Sequence, residues 1–467
     1  MKPVQKQTPA LNMLREGFTI VELLIVVVVI AILAAITIVA YNGISQRSRV
    51  ANLQSNLEQA GKKLGLYKVD NNDRYPPDIT TAALSADSGS VYTYNPSGDT
   101  LSFCLQLTNW SMTYVISNLD SRPQLGSCSG SIAVSGTPYV SGGVVSTFAG
   151  TIPATNGLVN ANGTSAKFYN PRGVAVDPSG NVYVNDSNNN VIRKVSPTAD
   201  ATTFAGQATA GLVNGTGAAA QFKYPEVGIA TDSSGNIYIG DYSNNAIRKI
   251  TPAGVVTTLA GQATAGFLDG IGTAAKFNTP EGIGVDSNGN LYMADNMNNA
   301  IRKITPAGVV TTFAGQATAG YTDANGTAAQ FNRPFGVAVD SSNNVYVADT
   351  NNNAIRKITQ AGDVTTFAGQ ATSGFVNATG TAAKFWGLVD IAIDQWGTMY
   401  VADTGNEAIR KITPGGVVTT LAGQTSAGYT NATGTAAQFW FPRGIAVDAN
   451  GYVYVADTGN SCIRVIK

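Results

Sequence analysis

Residues 345–358 read VYVADTNNNAIRKI, and the phrase returns in altered form along the C-terminal two thirds of the chain. Its aspartate falls at 186, 241, 295, 349, 403 and 457, intervals of 55, 54, 54, 54 and 54 residues. Arg193, Arg248, Arg302, Arg356, Arg410 and Arg464 keep the same spacing. TFAG-like segments at Phe148, Phe204, Leu259, Phe313, Phe367 and Leu421 give a third sixfold series. A fixed period of this length marks a repeat architecture. Each unit holds four strand-like runs, as in Gly336–Asp340, Val345–Asp349, Ala354–Ile358 and Val364–Phe367, separated by turn formers and without helical periodicity. Four short strands in each of six units predict a six-bladed β-propeller over 144–467. The runs are apolar on both faces because each blade is sandwiched between two others.

The phase of the repeat predicts how the ring closes. The chain enters at VVSTFAG (144–150), a fourth strand without its own first three, and ends at Cys462–Lys467, a third strand without a fourth. The two ends complement one another in a shared sixth blade, which removes exposed sheet edges.

Composition narrows the chemistry. The chain has 467 residues, 51 of them Gly, and Lys+Arg and Asp+Glu both number 29, so the formal charge is zero and no nucleic-acid partner is favoured. It has no histidine and three cysteines, which excludes His-based triads, His-ligated zinc or haem, and cysteine-rich zinc sites. No metal, cofactor or catalytic residue is expected, and the chain reads as a non-enzyme. A tethered propeller lactonase or lyase is the contrasting reading, but such propellers generally use metal ligands or a channel histidine. The repeated Asp–Arg pairs read as structural locks, since identical residues in every blade serve the shared frame. The Asn-rich turns beside them lack the spacing and closing acid of an EF-hand loop.

Variation inside the frame points to a binding site. The residue after the repeat proline, or its counterpart, is Arg172, Glu226, Glu281, Phe335, Val389 or Arg443, each entering an innermost strand at one mouth of the channel. Blade five carries Asp390 in place of the repeat Gly, and blade two has one extra residue. Arg172, Glu226, Glu281, Phe335, Asp390 and Arg443 are therefore the candidate ligand-binding set. The turns after second and fourth strands share this face, on which long connectors such as Gln316–Asn332 are expected. The opposite face should carry only short turns such as Asp340–Asn344 and Thr305–Gly308.

The N-terminus differs in kind. Polar residues 1–17 precede FTIVELLIVVVVIAILAAITIVAY (18–41), in which Leu23–Ala40 has only Thr37 as a polar interruption, long enough to span a bilayer as a helix. The basic flank places its N-terminus in the cytoplasm before assembly. Glu22 lies inside the apolar run, where an acid costs about 2.5–3.5 kcal/mol at the helix centre. Helical spacing continues through Val50, Leu53, Leu57, Ala60, Leu64 and Tyr67 until Asn71–Pro77. Alternating strands follow in SVYTYNPSGDTLSFCLQLTNWSMTYVISN (90–118), and residues 129–143 form a Ser/Gly-rich linker.

The run Gly17–Leu24, GFTIVELL, resembles the class III signal of type IV pilins and pseudopilins. The resemblance implies cleavage of the leader 1–17 by a prepilin peptidase between Gly17 and Phe18, and N-methylation of Phe18. It also implies pairing of Glu22 with the N-terminal ammonium of a neighbouring pilin subunit, and assembly on an inner-membrane platform. Residues 18–128 would then form a pilin-like domain, a long helix packed by a small antiparallel sheet, across which Cys104 and Cys128 could pair as a disulfide. The repeats resemble the NHL family through Asn332–Asp340 (NRPFGVAVD) and Asn353–Ile358 (NAIRKI). That family adds the expectation of a bound protein, nucleic acid or glycan. The combined expectation is a mostly β chain: a minor or tip pilin in a type IV pilus-like fibre at the cell surface, displaying a propeller for adhesion to an extracellular protein or glycan. A pseudopilin of a secretion or uptake system is the alternative.

Overall fold

The computed structural model describes residues 143–467 in full and, as backbone, the strands Val91–Pro96, Phe103–Asn109, Met112–Ser117 and Gln124–Leu125. The chain divides into two compact units, Met1–Pro138 and Tyr139–Lys467. In the first, the four strands pair antiparallel in chain order. The leader, Phe18, Glu22, the expected helix and Cys128 lie outside the described residues, as does any pairing of Cys104 with Cys128. Among the described residues no helix is long and apolar enough to cross a membrane.

The second unit is a six-bladed propeller. Each blade is an antiparallel meander, such as Pro334–Val339, Val345–Asp349, Ala354–Ile358 and Val364–Gly369. First strands of successive blades pack against one another around the ring, so they are the innermost. Second strands are buried along their whole length, with both faces between neighbouring blades. The core accordingly forms layers between blades. Tyr292, Ala294 and Ile301 of blade three, for example, pack with Val337, Val345 and Val347 of blade four. Closure follows the sequence expectation: Val145–Ala149 pairs with Cys462–Ile466, Ile466 opposite Val145 and Arg464 opposite Thr147. Cys462 is a buried free thiol at the position filled by Ala in four of its five counterparts and by Val191 in the fifth.

The repeated glycine before the inner ladder has a packing reason. A Cβ on Gly336 would lie 2.5 Å from the Cα of Asp390 and 2.7 Å from the carbonyl of Val389 in the next blade. Inner strands approach too closely for a side chain there.

The connectors depart from the expectation that they lie on one face. Gln316–Asn332 leaves the mouth face and runs down the outer edge of blade four. There Asn325 bridges Asp363, and the Gly326 N–H donates to Gly362 O at 2.9 Å, in a turn of the opposite face. It then returns with Ala329 and Phe331 fully buried between blades. Apolar residues in the connector need the gap between blades, which draws the loop off the surface.

The Asp–Arg pairs hold the connectors in place. Asp349 accepts from Arg356 at 2.8 Å, from Asn352 at 2.8 Å and from the Asn332 N–H at 2.8 Å. Arg356 also donates to Gln330 O and Thr322 O, both at 3.0 Å, and to Asp323 at 2.5 Å. Its guanidinium lies 5.0 Å from the Tyr321 ring and 5.2 Å from that of Phe331. The two terminal nitrogens of the guanidinium tie one arginine to the blade and to both limbs of the connector. The Asp–Arg contact recurs in all six blades with both side chains fully buried.

Candidate functional site

The mouth residues owe their direction to a bulge. The inner strand pairs Pro334 with Asp349 and then Val337 with Val347, leaving Phe335 and Gly336 outside the regular ladder. The same break occurs at Arg172, Glu281 and Arg443. A bulge re-aims a side chain, here away from the ladder at the end of the channel. In blade two the extra residue shortens the inner strand to Ile229–Thr231, and Glu226 precedes it.

Four of the six candidate residues converge. Arg172 donates to Glu226 and, at 2.6 Å, to the hydroxyl of Tyr224, over whose ring its guanidinium lies at 4.8 Å. Arg443 reaches the other Glu226 oxygen at 3.4 Å. Blades six, one and two thus meet at one carboxylate. Glu281 of blade three is 2% exposed, and its Oε2 has no hydrogen-bond partner. Burial first, and then the Glu226 charge, push the Glu281 carboxyl well above the usual range, against the pull of Arg443 and Arg172. Tyr242, in the second turn of blade two, is likewise pushed up by burial and then by Glu281 and Glu226.

The other two candidates stand apart from this cluster. Phe335 is half-buried. Asp390 turns its carboxylate into the wall: it accepts from its own blade at Ile391 N–H (2.9 Å) and from blade six at Ile445 N–H (3.0 Å). Burial pushes this acid up to about 8. It replaces a glycine at the closest approach of two blades, which is why it serves as a strut between them and leaves the mouth. Among the described residues no group of three His, Cys, Asp or Glu is placed to hold a metal ion.

Sequence reasoning missed a second ring of positions on this face, immediately after the buried repeat phenylalanine. It carries Tyr169, Lys223, Asn278, Asn332, Trp386 and Trp440. Trp386 is 57% exposed, Trp440 45% and the following Phe441 49%. The available signal was the same one used at the mouth, a fixed place in the repeat whose residue varies from blade to blade.

Three segments, 168–194, 331–358 and 439–466, match the NHL repeat family, one in each of blades one, four and six. The propeller carries NHL repeats. Residues 12–38 match the prokaryotic N-terminal methylation motif, so both resemblances read from the residues hold. The NHL propeller is 32% identical over 159 residues to the chloroplastic protein SUPPRESSOR OF QUENCHING 1 of Arabidopsis thaliana, covering 31% of this chain and 15% of that one. The chain is 25% identical over 366 residues to Teneurin-4 of Mus musculus, covering 68% of this chain and 12% of that one. The chain therefore spans under a sixth of the length of these relatives. Among solved structures it resembles a Bacteroides thetaiotaomicron protein of unknown function (TM-score 0.59, 17% identity, 82% of this chain and 98% of that one). A second is an auxiliary nutrient binding protein of Bacteroides ovatus (TM-score 0.53, 17% identity, 78% and 83%). At that identity the likeness is one of fold.

Proposed function

We propose that the chain is a minor or tip pilin of a type IV pilus-like fibre, holding its NHL propeller outside the cell to bind an extracellular ligand through the charged mouth. The observation that carries this reading is the methylation motif at 12–38 heading a chain whose other unit is a closed propeller. The propeller's repeated polar residues are consumed by structure, whereas its mouth residues differ from blade to blade. In this reading a prepilin peptidase cuts between Gly17 and Phe18, Phe18 is methylated, and Glu22 pairs with a neighbouring subunit's ammonium on the inner-membrane platform. In this reading the cluster of Arg172, Arg443 and Glu226, with Glu281 beside it, binds the ligand.

Glu22→Ala tests it. The variant should insert into the membrane, because its helix becomes more apolar, and should be depleted from sheared surface fibres probed with an antibody to the propeller. Wild-type levels in those fibres would overturn the assembly role of Glu22. A propeller that never reaches surface fibres, even in the wild type, would overturn the pilus reading.

A further inference from the structure

The six blades share one arrangement at their second turns. The backbone N–H of the turn's second residue donates to the carbonyl of the residue following the buried phenylalanine: Asn188 to Tyr169, Ser243 to Lys223, Met297 to Asn278, Asn351 to Asn332, Gly405 to Trp386 and Gly459 to Trp440. Four blades carry a side chain at that turn position. Blades five and six carry glycine, and these are the two with tryptophan opposite. A Cβ on Gly459 would lie 2.5 Å from Cγ and 2.7 Å from Cδ2 of Trp440, and one on Gly405 would lie 2.8 Å from the same two atoms of Trp386. Neither glycine has a positive φ, so the backbone does not call for glycine there. A Cβ there would also lie 2.6 Å from the carbonyl of Trp386 or 2.7 Å from that of Trp440, so the tryptophan's ring and peptide together close over the bare glycine, while the outer side of the ring stays open to water. Blades five and six thus differ from the other four at the same pair of positions.

Phe441 (49% exposed) adjoins Trp440, and Tyr169 (38%) occupies the equivalent position on the next blade. The aromatics lie two and three residues before Arg443 and three before Arg172, so each chain segment runs from an exposed ring to a mouth arginine. There Arg172 and Arg443 share the single carboxylate of Glu226, and Glu281 is held toward its neutral form by burial. Arg443 holds Glu226 through one contact at 3.4 Å and keeps 26% of its side chain exposed, more than Arg172 does, so its guanidinium is the one open to a ligand. Arginine presents a planar fork suited to a carboxylate.

We propose that the mouth face over blades five, six and one binds a carboxylate-bearing glycan, with sugar rings stacked on Trp386 and Trp440 and a carboxylate held by Arg443. Open, flat π-faces suit the axial C–H surface of a pyranose, whereas an aromatic anchor for a protein partner fills a pocket. The proposal rests on the ligand-binding reading above, and names its ligand class.

The test is calorimetric titration of the full chain in detergent micelles with hexamers of galacturonate and of mannuronate. The fully methyl-esterified hexamers and poly-glutamate serve as controls. At least one uronate hexamer should bind, and its methyl ester should bind about tenfold more weakly or worse. Trp440→Ala and Arg443→Gln should each weaken binding about tenfold, in line with the loss of one stack or one charged contact. Gly459→Asn is the discriminating variant. It installs the residue of blades one and four, keeps the indole, and should weaken binding to a similar degree by lifting the ring, with the melting temperature unchanged. Failure of both uronates to bind, equal affinity for the methyl esters, or indifference to all three variants would overturn the proposal. Equal affinity for poly-glutamate would also overturn it, in favour of an acidic protein partner. Fibre incorporation is not involved in the assay, so a failure here with normal display on fibres would discard the glycan alone.

Discussion

Replacing Arg356 by Met removes the charge from a lock whose every partner is defined. Asp349 would remain fully buried without its cation, and Gln330 O and Thr322 O, each 3.0 Å from the guanidinium, would lose their donors. Stripping one partner from a buried ion pair costs about 3–5 kcal/mol, and each orphaned carbonyl adds about 1 kcal/mol. The expected loss is therefore about 5–7 kcal/mol. With an unfolding entropy of about 2.1 cal/mol/K per residue over roughly 320 residues, about 0.7 kcal/mol/K, the melting temperature should fall by about 7–10 °C. Arg356→Lys keeps the charge beside Asp349. It cannot reach Thr322, Gln330 and Asp323 together, and it loses the planar sandwich between Tyr321 and Phe331. A loss of about 2–3 kcal/mol, or about 3–4 °C, is expected for it. The double variant Asp349→Asn, Arg356→Met should recover part of the deficit of Arg356→Met, because no unpaired charge stays buried. Differential scanning calorimetry of the three proteins at neutral pH reads all of this. An Arg356→Met protein melting within about 1 °C of wild type, or lysine and methionine variants melting alike, would refute the lock as the source of stability.

Three further outcomes are expected. A chain begun at Thr151 leaves Cys462–Ile466 without its partner strand and should melt well below one begun at Gly142; equal melting temperatures would contradict closure by 145–149. Glu407 accepts the Phe441 N–H at 2.6 Å, and burial pushes its carboxyl from the ordinary 4.5 up to about 7. Because the folded value is the higher one, the stability it supports is present below about 4.5 and lost as pH rises through about 7. Glu407→Gln should therefore gain in melting temperature relative to wild type at pH 8 compared with pH 4, and a pH-independent difference would contradict this. Finally, mass analysis of the N-terminal peptide should find methylated Phe18; retention of residues 1–17, or cleavage after the apolar run, would end the pilin reading.

Much of the propeller was legible because its information is periodic. The spacing of Asp349 and Arg356 and their counterparts gave the blades, and the unmatched phase of 144–150 and 462–467 gave the closure. Their sixfold identity correctly marked them as structural. The connectors were misjudged because where Ala329 and Phe331 go depends on the volume between two blades, which no single segment encodes. Asp390 departed from the frame visibly, yet its direction depends on an N–H of blade six, at Ile445. The mouth was legible as a set of variable positions, and Arg172, Glu226, Glu281 and Arg443 do meet there. Trp386 and Trp440 were legible only as a pair with Gly405 and Gly459, a coupling across residues 19 positions apart that appears once the turn is seen beneath the ring.

The closing strand has a mechanical consequence. Any pull on the chain ahead of the propeller is transmitted at Gly143 into Val145–Ala149, which runs from the short-turn face toward the mouth. Its antiparallel hydrogen bonds to Cys462–Ile466 lie across the strand, so tension between a tether at its start and a ligand at the mouth loads them in shear. Bonds in shear must yield together, whereas a strand pulled sideways would unzip one bond at a time. Val144 also exchanges both backbone hydrogen bonds with Lys467 at 3.0 Å, and the Val145 N–H donates to Ala432 O at 2.9 Å, so the strand is gripped on both edges where the force arrives. The seam that closes the ring is thus also the place where a pull on the preceding chain arrives, and it meets that pull with its hydrogen bonds in shear.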